Sequence, residues 1–418
     1  MIDAGSIAHS KRTKKVIADW QGLQRSLWWY AFFMAFPTIL FVQNISIYIF
    51  PFVILAAWKL VGFPFSYRHW IQIVVLLFGI AALLSVLNMP NEMRQYYYAD
   101  SLYVLPNYIY WCILVWFLIS VGPFLNLAVV ARGICVGLLL TLIYYFIAQD
   151  AGITGFAIFK RLTQNTFAFI LICFSPVAVL YIKERYGWVS TIIVAIILVL
   201  AGFLGGSRSS SMLVLSGIAM VLFYSRFSAI KVTLVGVVLL PLAAILLNTD
   251  LVRDLIRNLN PRTYELIYDT EKVVSTDRSY LVRLAMVEKG IEIYKKHPYT
   301  GVGLNNFTNY SVRIPGEFEG ARLIKNKRGL NDKSAHNSYV GILAEGGLFL
   351  FIPFVTLILI CVLFFTFRSS QMSSLQKAFF VCLIHMAVHL YFIMAIVNVF
   401  AWFVIGVCLS IMVKGVSK

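Results

Sequence analysis

Three residues from separate polar segments of the chain could together bind an anion and activate a hydroxyl group. Arg208 stands in the short segment Gly205–Ser211, Arg283 begins an amphipathic stretch, and His336 precedes a long apolar run. Arginine presents a planar fork of N–H donors that suits phosphate. Histidine has an ordinary pKa of about 6.5 and can accept a proton near neutrality. At one surface, the arginines would hold phosphate while His336 deprotonates an attacking hydroxyl.

Each of these residues also has a simpler interpretation. Arg208 could belong to a turn from which its side chain extends to the membrane interface. Arg283 could be solvated by water or by lipid headgroups, and a lone histidine such as His336 is more often structural. The anion-site interpretation therefore depends on whether the fold brings the three together.

The elements that must position these residues are membrane-spanning helices. Of the 418 residues, 60% are hydrophobic and 13% are charged, whereas about 25% are charged in soluble domains. The apolar runs often reach about 20 residues, the length of a transmembrane helix, and lack the alternation of a membrane barrel. The composition excludes a soluble enzyme, a disordered protein and a nucleic-acid-binding module. We predict an all-α, polytopic membrane protein.

About twelve apolar runs are long enough to span a bilayer. They divide the chain into residues 1–247 with transmembrane helices 1–9, a loop domain over 248–337, and residues 338–418 with helices 10–12. The predicted spans are 26–43, 45–62, 70–88, 103–123, 128–148, 164–183, 187–206, 209–225, 229–247, 338–366, 374–391 and 393–413.

The distribution of basic residues predicts the orientation. With the N-terminus in the cytoplasm, short inside segments hold 16 of the 35 Lys and Arg residues, and short outside segments hold 4. Cytoplasmic loops retain positive charge, so this orientation is favoured, with both ends inside. The inside residues are Lys11, Arg12, Lys14, Lys15, Arg25, Lys59, Arg68, Arg132, Lys183, Arg185, Arg226, Lys231, Arg368, Lys377, Lys414 and Lys418.

The loop domain then lies outside the cytoplasmic membrane and carries the remaining 15 basic residues against 11 acidic ones. The orientation rule does not apply to so long a loop, so its basic excess indicates an anionic ligand. Helical periodicity predicts amphipathic helices over 251–259 and 280–294, the second with Lys289 on its polar face. His297-Pro298 ends that helix, and a turn follows at Gly301–Gly303.

The span count places Arg208, Arg283 and His336 on the same outer face of the membrane. Two arginines and a histidine at a membrane surface suit a lipid-linked pyrophosphate. Glu345 follows His336 by nine positions, which on one helix is half a turn away in azimuth, so Glu345 is not predicted to orient His336. Tyr96-Tyr97-Tyr98, in the predicted outer loop 89–102, could stack on sugars or form part of an interfacial aromatic belt.

Two histidines elsewhere have the spacing of metal ligands. His385 and His389 are four residues apart on the predicted eleventh span, but a zinc site needs more ligands and no third is evident. Interior polar packing is the favoured interpretation. The sequence contains neither a DxD motif nor a phosphate-binding Walker loop, so we expect no cofactor and no metal.

The motifs around the three residues resemble those of the bacterial O-antigen ligase and O-antigen or capsule polymerase superfamily. The similar segments are Arg283 with 297–307, Ala335–Tyr339 with Glu345-Gly346-Gly347, and Gly206–Ser209. The resemblance implies that Arg208 and Arg283 bind an undecaprenyl-pyrophosphate donor and that His336 activates the acceptor. It also implies inverting, metal-independent catalysis. Further candidates for substrate binding are Arg278, Asn337, Tyr339 and Arg161, the last in a fragment that resembles the family's segment before span six.

The resemblance implies a glycosyltransferase in the bacterial inner membrane whose active site faces the periplasm. A polymerase would join lipid-linked repeat units, whereas a ligase would transfer the finished glycan to lipid A–core. We favour the polymerase. A transporter or flippase for the same lipid-linked sugar is the more distant alternative. It would need charged residues inside the spans, whereas this chain has most of its charged residues outside them. The expected partners are the lipid-linked donor, a glycan or lipid-linked acceptor, membrane lipids, a flippase and a chain-length regulator, without nucleic acid.

Overall fold

The computed structural model describes residues 21–36, 69–148, 162–205, 208–224, 249–270, 278–312, 333–394 and 398–415. Within these ranges every regular element is a helix, which confirms the predicted class. Among the described residues, five helices are long and apolar enough to cross a membrane, and three shorter apolar helices accompany them. The predicted spans 45–62 and 229–247 lie outside the described residues.

We number the helices in chain order. They are α1 (21–35), α2 (His69–Leu87), α3 (Asn91–Val121), α4 (Leu127–Ile143), α5 (Gln164–Leu204), α6 (Arg208–Tyr224), α7 (Asp250–Leu259), α8 (Pro261–Tyr268), α9 (Arg278–Lys296), α10 (Ser338–Arg368), α11 (Ser374–Leu390) and α12 (Val399–Lys414).

Helix α3 corrects one prediction. The outer loop predicted over 89–102 is helical from Asn91, because Pro90 precedes the first turn and Glu92 lies within it, where negative charge is favourable. Its 31 residues span about 46 Å at 1.5 Å each, more than the bilayer core of about 30 Å. The first turns, including Tyr96, therefore extend beyond the membrane.

Helix α5 contains two of the predicted spans, because the chain reverses within it. Gly187 has a φ of 82°, a conformation that glycine adopts without strain. The last residues of α5 lie beside its first turn. This is seen at Gly205, where an added Cβ would contact the Phe167 ring. The two antiparallel halves correspond to the predicted spans 164–183 and 187–206.

The long apolar helices alternate in direction, so the bundle has two ends. We call the end that carries 249–270, 278–312 and 333–337 the loop end. At the opposite end, the side chains of Gln24 and Lys414 donate to the carbonyls of Phe124 and Leu125. The same opposite end holds the described basic residues Arg25, Arg132, Lys183, Arg185, Arg368, Lys377 and Lys414.

The loop is joined to the bundle where α10 is interrupted. Gly347 has a φ of 59°, and a Cβ there would collide with the Tyr299 carbonyl. Four backbone hydrogen bonds of 2.8–3.1 Å link this break to residues 298–303. The Glu345 carbonyl also accepts a hydrogen bond from the Ser85 hydroxyl of α2 at 2.7 Å. The segment after α9 is thereby bonded to α10, which is itself bonded to α2.

Both predicted amphipathic helices of the loop are confirmed as α7 and α9. Helix α9 ends at Lys296, immediately before His297-Pro298, as expected from the proline. Its apolar residues pack with those of 302–312 and with the start of α10 in a small second core. The loop is therefore anchored by its own apolar contacts as well as by backbone hydrogen bonds.

Candidate functional site

His336 lies immediately before α10 in a conformation that non-glycine residues seldom adopt. Its φ is 49°, in the left-handed region, and the residue is half-buried. The next residue caps the helix, because Asn337 Oδ1 accepts from the backbone N–H groups of Tyr339 at 3.0 Å and Val340 at 3.1 Å. An uncommon conformation held by its surroundings is a feature of functional sites.

The surroundings of His336 favour its neutral imidazole. Burial lowers the pKa of His336 below 6.5, and the positive charges of Arg283 and Lys333 lower it further. Burial has the larger effect, and both cations act in the same direction. A neutral imidazole at pH 7 is able to accept a proton.

Arg283 approaches His336 because of the close crossing of α9 and α10. At the crossing, a Cβ on Gly290 would collide with Val340, so only glycine permits this separation. Arg283 precedes Gly290 by two helical turns and lies on the same face of α9. Its charge acts on His336 and also on His389 at the end of α11. The fold thus brings Arg283 to two histidines.

The other predicted arginines are located only in part. Arg208 is the first residue of α6 and Arg278 is the first residue of α9. The side chains of both, and the whole of Arg161, lie outside the described residues. Their roles in donor binding stay predictions.

A buried hydrogen-bond network nevertheless joins the start of α6 to the loop. Asn260 Nδ2 donates to the Phe203 carbonyl at 3.0 Å and to the Ser211 hydroxyl at 3.4 Å. The Thr263 hydroxyl donates to Ser211 at 3.3 Å. Asn260-Pro261 is a recognisable helix start, but nothing local in the sequence predicts its contacts with α5 and α6. The network fixes the chain segment of Arg208 relative to the loop.

Two predicted substrate-binding residues already have partners inside the protein. The amide oxygen of Asn337 caps α10, and the Tyr339 hydroxyl donates to the Ala387 carbonyl of α11 at 2.8 Å. Through these bonds, both residues stabilise the start of α10 next to His336. Direct contacts of Asn337 and Tyr339 with substrate stay predictions.

Two buried ionisable residues hold the loop in place, a role that the sequence analysis did not assign to them. Glu345 Oε1 accepts from the Phe307 backbone N–H at 3.1 Å. Lys289 is fully buried, and its ammonium lies 4.9 Å from the centre of the Phe307 ring. The prediction of Lys289 on the polar face of α9 was wrong, because the segment after α9 packs its Phe307 ring against this side chain. Both side chains therefore help to position α9 and Arg283.

The histidines of α11 have different environments. His385 has partners on both nitrogens, the Val381 carbonyl at 2.9 Å and the Ser216 hydroxyl at 3.1 Å, as polar packing predicts. Neither ring nitrogen of His389 has a hydrogen-bond partner among the described residues. In the part of the chain that the structure describes, no group of three or more His, Cys, Asp or Glu side chains is arranged to hold a metal ion.

Comparison with known proteins supports the resemblance seen in the motifs. Residues 193–355 match the family model described as O-antigen ligase. The match runs from the second half of α5 into α10 and includes Arg208, Arg283 and His336. No curated protein matches the chain. The chain is thus a multi-pass helical membrane protein, and its residues 193–355 are similar to the O-antigen ligase family.

Proposed function

We propose that this protein is a glycosyltransferase that polymerises glycan repeat units from an undecaprenyl-pyrophosphate-linked donor. The observation that carries the proposal is the crossing of α9 and α10 at Gly290 and Val340, which brings the charge of Arg283 to act on His336 at the loop end of the bundle. One group is a permanent cation suited to phosphate. The other is a histidine kept neutral and able to take a proton.

In the proposed reaction, a hydroxyl oxygen of the acceptor sugar attacks C1 of the donor's first sugar. The bond between C1 and the phosphate oxygen breaks, and undecaprenyl pyrophosphate leaves with the bonding electrons. Its developing negative charge is stabilised by Arg283 and by Arg208. Arg208 is at the start of α6, which is hydrogen-bonded to the loop through Ser211. The hydroxyl proton passes to His336. Attack from the side opposite the leaving group inverts the configuration at C1.

The acceptor decides between two forms of this reaction. In a polymerase the acceptor is a second lipid-linked repeat unit, and in a ligase it is lipid A–core. The motifs around His336 resemble those of polymerases, which is the ground for our choice. The ligase is retained as the second candidate because the family model that matches residues 193–355 carries that description.

We further propose that the loop end faces the periplasm and that the protein resides in the bacterial inner membrane. The basic residues at the opposite end of the bundle support this, since positive charge is retained in short cytoplasmic segments. A lipid-linked donor would then reach the site after transfer across the membrane. A flippase that supplies it and a chain-length regulator are the proposed protein partners.

The function is tested with purified full-length protein in lipid nanodiscs. Lipid-linked oligosaccharide extracted from cells that carry the gene is supplied alone or together with lipid A–core, and products are separated by size. A polymerase makes longer glycans from the lipid-linked substrate alone. A ligase makes a product only when lipid A–core is present. Absence of both products from folded protein would exclude a transferase of this type.

A further inference from the structure

The two histidines of α11 differ in a way that suggests an unassigned ligand contact. His385 and His389 are one helical turn apart, and both are buried. Both nitrogens of His385 have protein partners. His389 is 0% exposed, and both of its nitrogens lack such a partner within the described residues.

Such a residue calls for an explanation, because almost all buried polar groups in folded proteins are hydrogen-bonded. An apolar side chain would fill the same space without leaving a donor or an acceptor unpaired. The neighbour of the ring on α5 is apolar: the Phe169 ring lies 5.4 Å from that of His389. Packing alone therefore does not favour a histidine at this position.

The position of His389 relates it to the anion site. Two hydrogen bonds tie the end of α11 to the start of α10: Tyr339 Oη donates to the Ala387 carbonyl at 2.8 Å, and Ser338 Oγ donates to the Ile393 carbonyl at 2.7 Å. His389 lies between these two anchored points. The positive charge of Arg283 acts on His389 as it acts on His336.

We propose that His389 donates a hydrogen bond to an anionic oxygen of the lipid-linked diphosphate, together with Arg283. An imidazole carries an N–H donor in either neutral tautomer, and a hydrogen bond to a charged oxygen is stronger than one to a neutral group. This inference rests on the proposed function and adds a donor-binding residue to it. Because His389 is covered, the diphosphate must displace the side chains over it as it enters beside Arg283.

The test compares His389→Leu with His385→Leu in purified full-length protein. Binding of undecaprenyl diphosphate is measured from the ligand-dependent rise in melting temperature. His389→Leu should melt no lower than wild type without ligand, and should bind roughly ten- to a hundredfold more weakly, as for a lost hydrogen bond to a charged group. His385→Leu should melt lower, since Ser216 loses a partner, and should bind with wild-type affinity.

A second pair of variants keeps the test valid if leucine is not tolerated. Gln and Met have similar lengths, but only Gln has an N–H donor. His389→Gln should retain most of the affinity, and His389→Met should lose it. Wild-type affinity in both His389→Leu and His389→Met would overturn the inference while leaving the proposed function intact. Failure of undecaprenyl diphosphate to stabilise the wild-type protein would instead reject the proposed donor, and the inference with it.

Discussion

At the scale of single residues, the site combines one charge that never titrates with one group that does. Arginine stays protonated throughout the physiological range, so it can balance a leaving pyrophosphate at any working pH. Burial and the neighbouring cations lower the pKa of His336 below 6.5. At neutral pH the histidine is therefore in its basic form while the arginine is charged. The proposed reaction needs both states, because a base must take the hydroxyl proton and a cation must stabilise the anionic leaving group.

His336 gives the sharpest prediction at this scale. His336→Ala should remove nearly all transfer, since base catalysis contributes about 10²–10⁴-fold, with donor binding largely kept. In the wild type, activity should rise with pH through a group that titrates below 6.5 and stay constant through neutrality, because only the deprotonated imidazole is active. Initial rates measured between pH 5 and 8 would show this. Substantial turnover in His336→Gln with the same acidic limb would contradict a base role.

Arginine geometry gives the second prediction. Arg283→Lys and Arg208→Lys keep the positive charge but lose the planar fork that can hold two phosphate oxygens. Both should reduce transfer strongly at normal membrane levels. Arg368→Lys at the opposite end of the bundle is the matched control, because the Arg368 side chain bonds only to exposed Gln371 among the described residues; it should leave transfer unchanged. Wild-type rates in both site variants would make these arginines interfacial residues without a catalytic role.

At the scale of helices, the site depends on how closely α9 approaches α10. Gly290 makes that approach possible, and the Glu345–Phe307 bond and the buried Lys289 hold the segment that packs against α9. Arg283 belongs to the same rigid helix. Any change that separates the two helices must therefore move Arg283 away from His336, even when no residue of the site is altered.

The third prediction concerns this crossing. Gly290→Ala places a methyl group against Val340 and should lower both the transfer rate and the melting temperature. Gly22→Ala in α1 is the control, because a Cβ there meets nothing within 4 Å; replacing a helical glycine by alanine is favourable by up to about 1 kcal/mol. The double variant Gly290→Ala, Val340→Ala should recover much of the loss. No recovery would mean that the clash at Val340 is not the cause.

At the scale of the whole molecule, charge and hydrophobicity divide the bundle between two environments. Lipid-facing surfaces stay apolar, as shown by exposed residues such as Ile193, Leu139 and Ile352. Among the described basic residues of the short segments, seven lie at the end away from the loop, whereas Arg94 at the start of α3 lies at the loop end. This separation is the reason for placing the loop end in the periplasm.

The fourth prediction tests that orientation. Tyr299 in the loop and Tyr186 beside the reversal in α5 are each 62% exposed and lie at opposite ends of the bundle. In intact spheroplasts, a membrane-impermeant maleimide should label Tyr299→Cys and should label Tyr186→Cys only after the membrane is permeabilised. The unsubstituted protein, whose six cysteines are buried or half-buried, gives the background. The reverse pattern would put the site in the cytoplasm.

The sequence by itself determined the class of the protein and much of its local structure. Apolar runs of membrane length specify helices regardless of their neighbours, because backbone polar groups in lipid must be satisfied within the segment. Periodicity and His297-Pro298 likewise fixed α9 and its end, and residue chemistry was sufficient to choose Arg283 and His336 as candidates. The family match to residues 193–355 agrees with the motifs seen in the sequence.

Only the tertiary structure decided which residues meet. The burial of Lys289 and the Ser85–Glu345 bond, between positions 260 residues apart, depend on how distant segments pack. The contrast between His385 and His389 has the same origin, since Ser216 of α6 reaches one ring and Arg283 influences the other. Local patterns specify helices through contacts within a few residues, whereas the environment of a side chain is set by neighbours that no local pattern contains.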